Sequence, residues 1–243
     1  MNMDPRLAVI DRRLQGVKDI IAVTGGKGGI GKSLVASTLA LQLARQQRKV
    51  GLLDLDMTGP CDHLVLGAED TWPEERQGLV PAQVHGLAFM SVASFTGGRA
   101  IPLRGGDVSN ALIELLTVTQ WGQRDVLVID MPPGLGDAAL DAVRLLGRAR
   151  YLVVATGSML VLQTVRLTLE LLHRLEAPVA GLVENMAEGE GGTVAGLADQ
   201  FGHSLLASLP YDPAVETALG RVDELAATAF AAAVDGLARR LVQ

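Results

Sequence analysis

The sequence predicts an α/β protein, a doubly wound, mainly parallel sheet with helices on both faces. Three observations carry this. Short apolar runs alternate with longer stretches of helical periodicity from about residue 19 onward, the order expected of strand–helix–strand units joined by right-handed crossovers. The chain is 49% hydrophobic but only 3% aromatic, so its core is aliphatic, which suits parallel strands buried on both faces. At 243 residues it is long enough to bury the core of one such domain. The expected organisation is therefore one domain over 1–243, with 1–17 as an N-terminal extension and 59–81 as an irregular excursion.

In chain order, residues 19–24 read as a first strand, 33–47 as a helix and 49–54 as a second strand, each an apolar run of matching period. Residues 59–81 combine Gly, Pro, Trp72 and several acids without a clean period, so no element is assigned there. Residues 87–92 read as a strand. Over 107–119, Ala111, Leu112, Leu115, Leu116 and Val118 form a helical stripe. Strands follow at 125–129, 151–155, 179–183 and 205–209, separated by helices near 137–147, 161–175 and 193–201. The Ala-rich tail, 224–241, reads as one helix.

Composition narrows the function classes. A net charge of −6 and a pI near 5.2 argue against a strongly basic nucleic-acid footprint, so no nucleic-acid partner is expected. Asp4, Arg6, Asp11, Arg12 and Arg13 interrupt any apolar run of signal-peptide length, and no stretch approaches the roughly 20 apolar residues of a membrane span. A cytoplasmic location is expected. Cys61 is the only cysteine, which excludes an internal disulfide and a Cys-based zinc site within one chain. His63, His85, His173 and His203 show no metal-like spacing and read as surface or structural residues.

Directly after the first strand stands Gly25-Gly26-Lys27-Gly28-Gly29-Ile30-Gly31-Lys32-Ser33, containing the G-x-x-x-x-G-K-[ST] pattern of a phosphate-binding P-loop. The setting is strand, glycine loop, helix. Successive glycines let backbone N–H groups converge, and the helix adds its positive N-terminal end, which together cradle phosphate oxygens. Gly26, Lys27, Gly28, Gly29, Ile30, Gly31, Lys32, Ser33 and Leu34 are thus the expected ATP-binding segment. Lys32 would bridge the outer phosphates and Ser33 would offer its hydroxyl to Mg²⁺.

Two strand ends carry carboxylates. The run 126–129 ends in Asp130 and is followed by Met131-Pro132-Pro133-Gly134-Leu135-Gly136-Asp137. An acid at the carboxyl end of a parallel strand lies on the edge where ligands bind in open α/β sheets. Asp130 can therefore serve the Mg²⁺ shell, with Pro132, Pro133, Gly134 and Gly136 as a loop that senses the γ-phosphate. The other end reads Leu53-Asp54-Leu55-Asp56. There Asp54 would face the metal and Asp56 would orient the attacking water, because phosphoryl transfer needs positioning more than a strong base. The competing readings are a helix cap for Asp130 and turn residues for Asp54 and Asp56.

The form Gly-Lys-Gly-Gly-Ile-Gly-Lys-Ser, with Lys27 inside the loop, resembles the deviant Walker A loop of the MinD, ParA and nitrogenase-iron-protein superfamily of dimeric ATPases. Within it the chain is most similar to the Mrp/ApbC branch of ATP-dependent iron–sulfur cluster carriers. The matching stretches are 54–61, Arg104-Gly105 with the helix after it, Trp121, 130–137, Val183-Glu184-Asn185-Met186 and Leu209-Pro210-Tyr211-Asp212-Pro213, and the resemblance spans roughly residues 18–220. It implies an ATP-dependent homodimer in which Lys27 reaches the partner's nucleotide and is catalytic with Lys32 and Asp56. It also implies that Asn185 contacts adenine and that the client is a metalloprotein or a metallocluster assembly process.

Two departures qualify that resemblance. Carriers of this branch have a Cys-x-x-Cys pair shortly after the Glu-Asn-Met stretch, where this chain reads Ala187-Glu188-Gly189-Glu190-Gly191-Gly192. Iron–sulfur clusters are usually held by four thiolates, and two copies of this chain bring two. Leu34 stands where relatives commonly place Ser or Thr, which removes a side-chain phosphate contact but leaves the backbone N–H. A MinD- or ParA-like positioning switch and a nucleotide-binding module without useful turnover are the rival readings. The terminal helix, with Arg239 and Arg240, is expected to pack on the domain rather than anchor it to a membrane.

Overall fold

A computed structural model describes residues 5–96, 105–189 and 192–242. Arg104, Glu190 and Gly191, which belong to stretches compared above, lie outside them, as do residues 1–4 of the extension. The elements run α1 (Pro5–Leu14), β1 (Val17–Gly25), α2 (Lys32–Arg45), β2 (Val50–Asp54), α3 (Asp62–Leu66), β3 (Glu74–Glu75), β4 (Leu79–Val80), β5 (Ala82–Val84), β6 (Leu87–Ser91), α4 (Ala93–Thr96) and α5 (Gly105–Val118). Then come β7 (Arg124–Asp130), α6 (Asp137–Leu145), β8 (Arg150–Ala155), α7 (Met159–Arg174), β9 (Val179–Ala187), α8 (Thr193–Gln200), β10 (Leu205–Pro210), α9 (Ala214–Ala218), α10 (Val222–Ala226) and α11 (Ala229–Leu241).

Eight strands form one sheet in the order β10-β9-β8-β1-β7-β2-β6-β5. Every pairing in it is parallel except β5 with β6, an antiparallel edge. The predicted α/β class holds, and its cause is visible in the central strands. In β1, β2, β7 and β8 the inner residues are buried almost without exception, because helices cover both faces. β1 has β7 on one side and β8 on the other. The chain works outward from β1 in both directions, so the crevice above β1 is where such sheets bind ligands.

Two sequence expectations, the irregular stretch over 59–81 and the single terminal helix, need correction, and two helices were given no assignment from the sequence. The N-terminal extension holds a helix: Leu7, Ile10 and Leu14 put an apolar stripe on α1, Ile10 and Leu14 are buried, and α1 packs against α5. The excursion over 59–81 is not wholly irregular. It contains α3, ended by Gly67 in the left-handed region, and the β3–β4 hairpin, elements too short to show a period. The tail is two helices rather than one over 224–241. Thr228 breaks it by accepting a hydrogen bond from the Ala231 amide, 3.1 Å, as the cap of α11. Residues 214–218, given no element from the sequence, form α9.

Phe230, Ala231, Val234, Leu237, Ala238 and Leu241 turn the apolar face of α11 into the core. They pack on α2 and β10, which leaves Arg239 to pair with Asp235 on the outside. No helix among the described residues is long and apolar enough to cross a membrane.

Candidate nucleotide and metal site

Strand register builds the floor of the site. β7 pairs with β1 through Val23 and Asp130, β2 with β7 through Asp54 and Asp130, and β2 with β6 through Asp54 and Ser91. One row across the carboxyl edge of the sheet thus reads Val23, Asp130, Asp54, Ser91. Both aspartates, fixed by this register, are fully buried. Asp54 accepts hydrogen bonds from the Asp56 amide at 3.0 Å and from Ser91 Oγ at 3.1 Å.

The glycine loop leaves β1 above this row and enters α2. Gly31 adopts φ +81°, and a Cβ there would lie 2.2 Å from Nδ2 of Asn185, so glycine is required on both counts. Asn185 holds the loop from the other side by donating to the Ile30 carbonyl, 2.9 Å. Gly26 is pressed against Thr164 of α7. No side chain caps α2, and the amides of Lys32, Ser33 and Leu34, residues that line the cleft, precede the first helical hydrogen bond, from the Val35 amide to the Gly31 carbonyl. Lys32 is buried, its Nζ 2.6 Å from Asp130 Oδ1, and Ser33 Oγ donates to Asp130 Oδ2, also 2.6 Å. One turn further, Ser37 Oγ donates to Asp62 Oδ1, 2.8 Å.

The sequence-predicted residues around the loop occupy defined places. Lys27, Gly28 and Gly29 are exposed, Ile30 is buried beneath them, and Leu34 is half-buried against the core. A cleft of about 360 Å³ is lined by Lys27, Lys32, Ser33, Asp56, Cys61 and Pro133, among others. A smaller one beside it joins Leu34 and Asn185 to Tyr211, Pro213 and Phe230. Asp56 Oδ1 accepts from the Thr58 amide, the Thr58 hydroxyl and the Gly59 amide, at 3.1, 2.7 and 3.0 Å. It shapes its own loop as a turn residue while facing the cleft. Pro132 is buried, Pro133 and Gly134 are half-buried, and Gly136 starts α6. Cys61 is exposed, donates to the Gly59 carbonyl, 3.0 Å, and burial followed by the nearby Asp54 and Asp56 pushes its thiol up. A raised thiol is a weak metal ligand and nucleophile.

Sequence reasoning missed Asp62, at the start of α3. It is fully buried, and one of its carboxylate oxygens lies within 4.8 Å of oxygens of Asp54 and Asp130. Its Oδ2 has no hydrogen-bond partner. The only signal was an acid eight residues after Asp54, inside a stretch with no readable period. Ser91, Ser37 and Thr164 were missed for the same reason, since each acts through a contact made by topology. The donors Ser33, Asp54 and Asp130 are hard oxygens of the kind that suit Mg²⁺.

Crowded carboxylates resist ionisation. Burial first, then Asp130, raises Asp54 to about 7, and burial with the same neighbours holds Asp62 well above the usual range. Burial also raises Asp130, although Lys32 opposes it. For Lys32, burial is the largest single influence and favours the neutral amine, but Asp130 and the other acids together outweigh it and raise its pKa. An exposed aspartate ionises near 4. Between there and about 7 the folded protein therefore holds a proton at Asp54 that the unfolded chain has lost, and stability falls as pH rises through that window. The Lys32 shift acts far above it. With chelator present, Asp54→Asn is expected to raise the unfolding free energy measured in urea near neutral pH, by on the order of a few kcal/mol, and much less at about pH 4. Equal effects at both would show that Asp54 ionises normally.

A family model described as NUBPL iron-transfer P-loop NTPase, within the ParA group, matches residues 16–241. An iron-sulfur cluster carrier protein of Pseudomonas fragi is 42% identical over 214 residues, covering 81% of this chain and 74% of that one. Those of Salmonella typhimurium and Aquifex aeolicus are 42% and 35% identical, covering 72% and 84% of this chain but 48% and 60% of theirs. The chain thus spans between about half and three quarters of these relatives' length. Among solved structures, a nucleotide-binding protein from Archaeoglobus fulgidus in complex with ADP superposes with a TM-score of 0.74 at 28% identity, over 90% of this chain and 92% of that one. The cell division ATPase MinD of Pyrococcus furiosus, TM-score 0.65 at 23% identity over 91% and 97%, shares the fold.

Proposed function

The chain belongs to the family of NUBPL iron-transfer P-loop NTPases, and from that premise we propose that it is a Mg-dependent ATPase that works as a homodimeric switch in the assembly of iron–sulfur or other metallocluster proteins. The observation that carries this is the convergence of Lys32 and Ser33 on Asp130, beside Asp54, under a glycine loop that lines a cleft. A triphosphate seated in that cleft would draw Lys32 away from Asp130. The carboxylate so released would turn to the metal shell with Ser33 and Asp54. Bound Mg²⁺ would supply charge neutralisation on the phosphate oxygens.

Each remaining residue then has a task. Asp56, its Oδ1 committed to the loop, would orient water with its other oxygen. Asn185 would contact adenine beside Leu34 and Tyr211. The segment 132–136 would carry the loss of the Lys32–Asp130 pair from the end of β7 into α6, a two-state element of the order–disorder or loop-shift kind. Turnover would be slow and stimulated by a client metalloprotein. A positioning role at membranes has less support, because the apolar face of α11 is already used in the core.

Phosphate release in ATP and Mg²⁺, with and without an apo iron–sulfur protein undergoing assembly, tests the reading. Acceleration by the acceptor is expected. No release under either condition would reduce the protein to a binding module. A second expectation concerns cargo: with Cys61 the only cysteine and four thiolates the usual cluster complement, anaerobic reconstitution with iron and sulfide should leave no stoichiometric [4Fe–4S] cluster held by the protein's own cysteines. A stable cluster absorption that disappears in Cys61→Ser would overturn this.

A further inference from the structure

We propose that the surface formed by α3, residues 67–75 and α4 docks a client segment in which apolar side chains are flanked by lysine or arginine, and that docking acts on the nucleotide site through residues 59–61. The effect on hydrolysis rests on the ATPase reading above, whereas the docking surface rests on its own residues. Large apolar side chains stand out here: Leu64 is 46% exposed, Trp72 62% and Phe95 49%. A cavity of about 300 Å³ is lined by Pro60, His63, Leu64, Ala68 and Glu69, and by Ser94 next to Phe95. The amide and hydroxyl of Thr71 both donate to the Ala68 carbonyl, at 3.3 and 2.7 Å, which keeps Trp72 close to the same wall. His63 has a ring Nδ1 without solvent or a hydrogen-bond partner. Exposed apolar patches with polar borders mark interaction sites, and tryptophan is the side chain most enriched among their anchors.

Charge selects the occupant. Glu69, Asp70, Glu74 and Glu75 are all exposed, no lysine or arginine stands between Lys49 and Arg76, and Arg76 is already paired with Glu74 at 2.8 Å. Such a border attracts basic side chains, and the open face of Trp72 suits a lysine or arginine above it. The same acids repel nucleic-acid phosphates and anionic lipid. A second copy meeting this surface through the same surface would set the acids against their own kind. The link to the nucleotide lies in the chain between the two spaces. Pro60 and Leu64 line this cavity, whereas Gly59, Cys61 and Val65 line the nucleotide cleft, so one short stretch forms a wall of both. The Gly59 amide is held by Asp56, 3.0 Å, the residue assigned to the attacking water. A side chain seated against Pro60 therefore bears on Asp56 through one peptide unit and one hydrogen bond.

Trp72 supplies the readout, because Trp121, the other tryptophan, is buried at 1% exposure. Acrylamide quenching of tryptophan emission is followed while an amphipathic Leu/Lys peptide, or its Leu/Glu counterpart, is added to the full chain. The Lys peptide is expected to shield Trp72, and the Glu peptide to leave it open to quenching. Glu69→Lys combined with Asp70→Lys should weaken the Lys peptide by about ten-fold or more and leave basal phosphate release unchanged. In a second arm, Trp72→Ala should lose most of the acceleration given by the apo iron–sulfur protein while keeping the parental basal rate and ATP affinity. No shielding by the Lys peptide, equal shielding by both peptides, or shielding by Mg-ATP alone as two copies associate would each overturn the proposal. Acceleration equal in the parent and Trp72→Ala would overturn the docking surface and leave the ATPase reading standing. An acceptor that accelerates neither form sinks that reading instead, and the peptide arm then decides the surface by itself.

Discussion

Lys32→Ala is expected to lose ATP affinity by about ten- to a hundred-fold, the effect of removing a charge-assisted contact to phosphate, while remaining folded. The expectation of a folded variant needs argument, because Lys32 is paired with Asp130 at 2.6 Å in a buried site. Breaking such a pair typically costs about 3–5 kcal/mol when a charge is left behind. Here Asp54 and Asp62 already hold their protons more tightly than exposed aspartates. Asp130 can follow them once Lys32 is gone, which replaces the full charge penalty by a proton. Lys32→Gln, which retains a donor for Asp130, serves as a second variant should alanine prove too destabilising. Calorimetric titration of ATP into the folded variants decides the matter, and an affinity equal to the parent would remove the loop from the nucleotide site.

Most of the sheet was legible because buried parallel strands are short apolar runs. Val126-Leu127-Val128-Ile129 could hardly be anything else, and the glycine loop fixed which strand comes first. The acids at strand ends were legible for the same reason, although only the register shows that Asp54 and Asp130 are neighbours. The errors are also physical. A five-residue helix such as α3 is too short for periodicity, so Asp62 was hidden inside it. The tail looked continuous because Ala-rich segments favour helix on either side of Thr228, and the cap there was a signal left unread. Contacts such as Ser91 with Asp54 or Thr164 with Gly26 join residues far apart in the chain, and nothing local announces them.

Lys27→Ala is expected to keep much of its ATP affinity yet lose hydrolysis and ATP-dependent dimerisation together. The two loop lysines differ in what they touch. Lys32 is buried and bound to Asp130, whereas Lys27 is exposed at the rim of the same cleft and has no ion pair among the described residues. A solvated lysine in a loop that already supplies its own phosphate cation is either incidental or meant for a phosphate outside this chain. The surface beside it favours the second. Met159 and Leu160, at 77% and 74% exposure, begin α7 one turn before Thr164, which touches Gly26 of the loop. Exposed apolar residues flanking a free cation suit a facing copy of the same chain. In such a pair each Lys27 would neutralise charge building on the partner's γ-phosphate in the transition state, as trans-acting cations do in other phosphoryl transfers. Nucleotide binding and association are then linked, each strengthening the other. Sedimentation velocity with ATP and Mg²⁺ reads one half of the expectation and phosphate release the other. If Lys27→Ala hydrolyses ATP at the parental rate as a monomer, the lysine is a loop charge, and the switch must reside within one chain, in the Lys32–Asp130 pair alone.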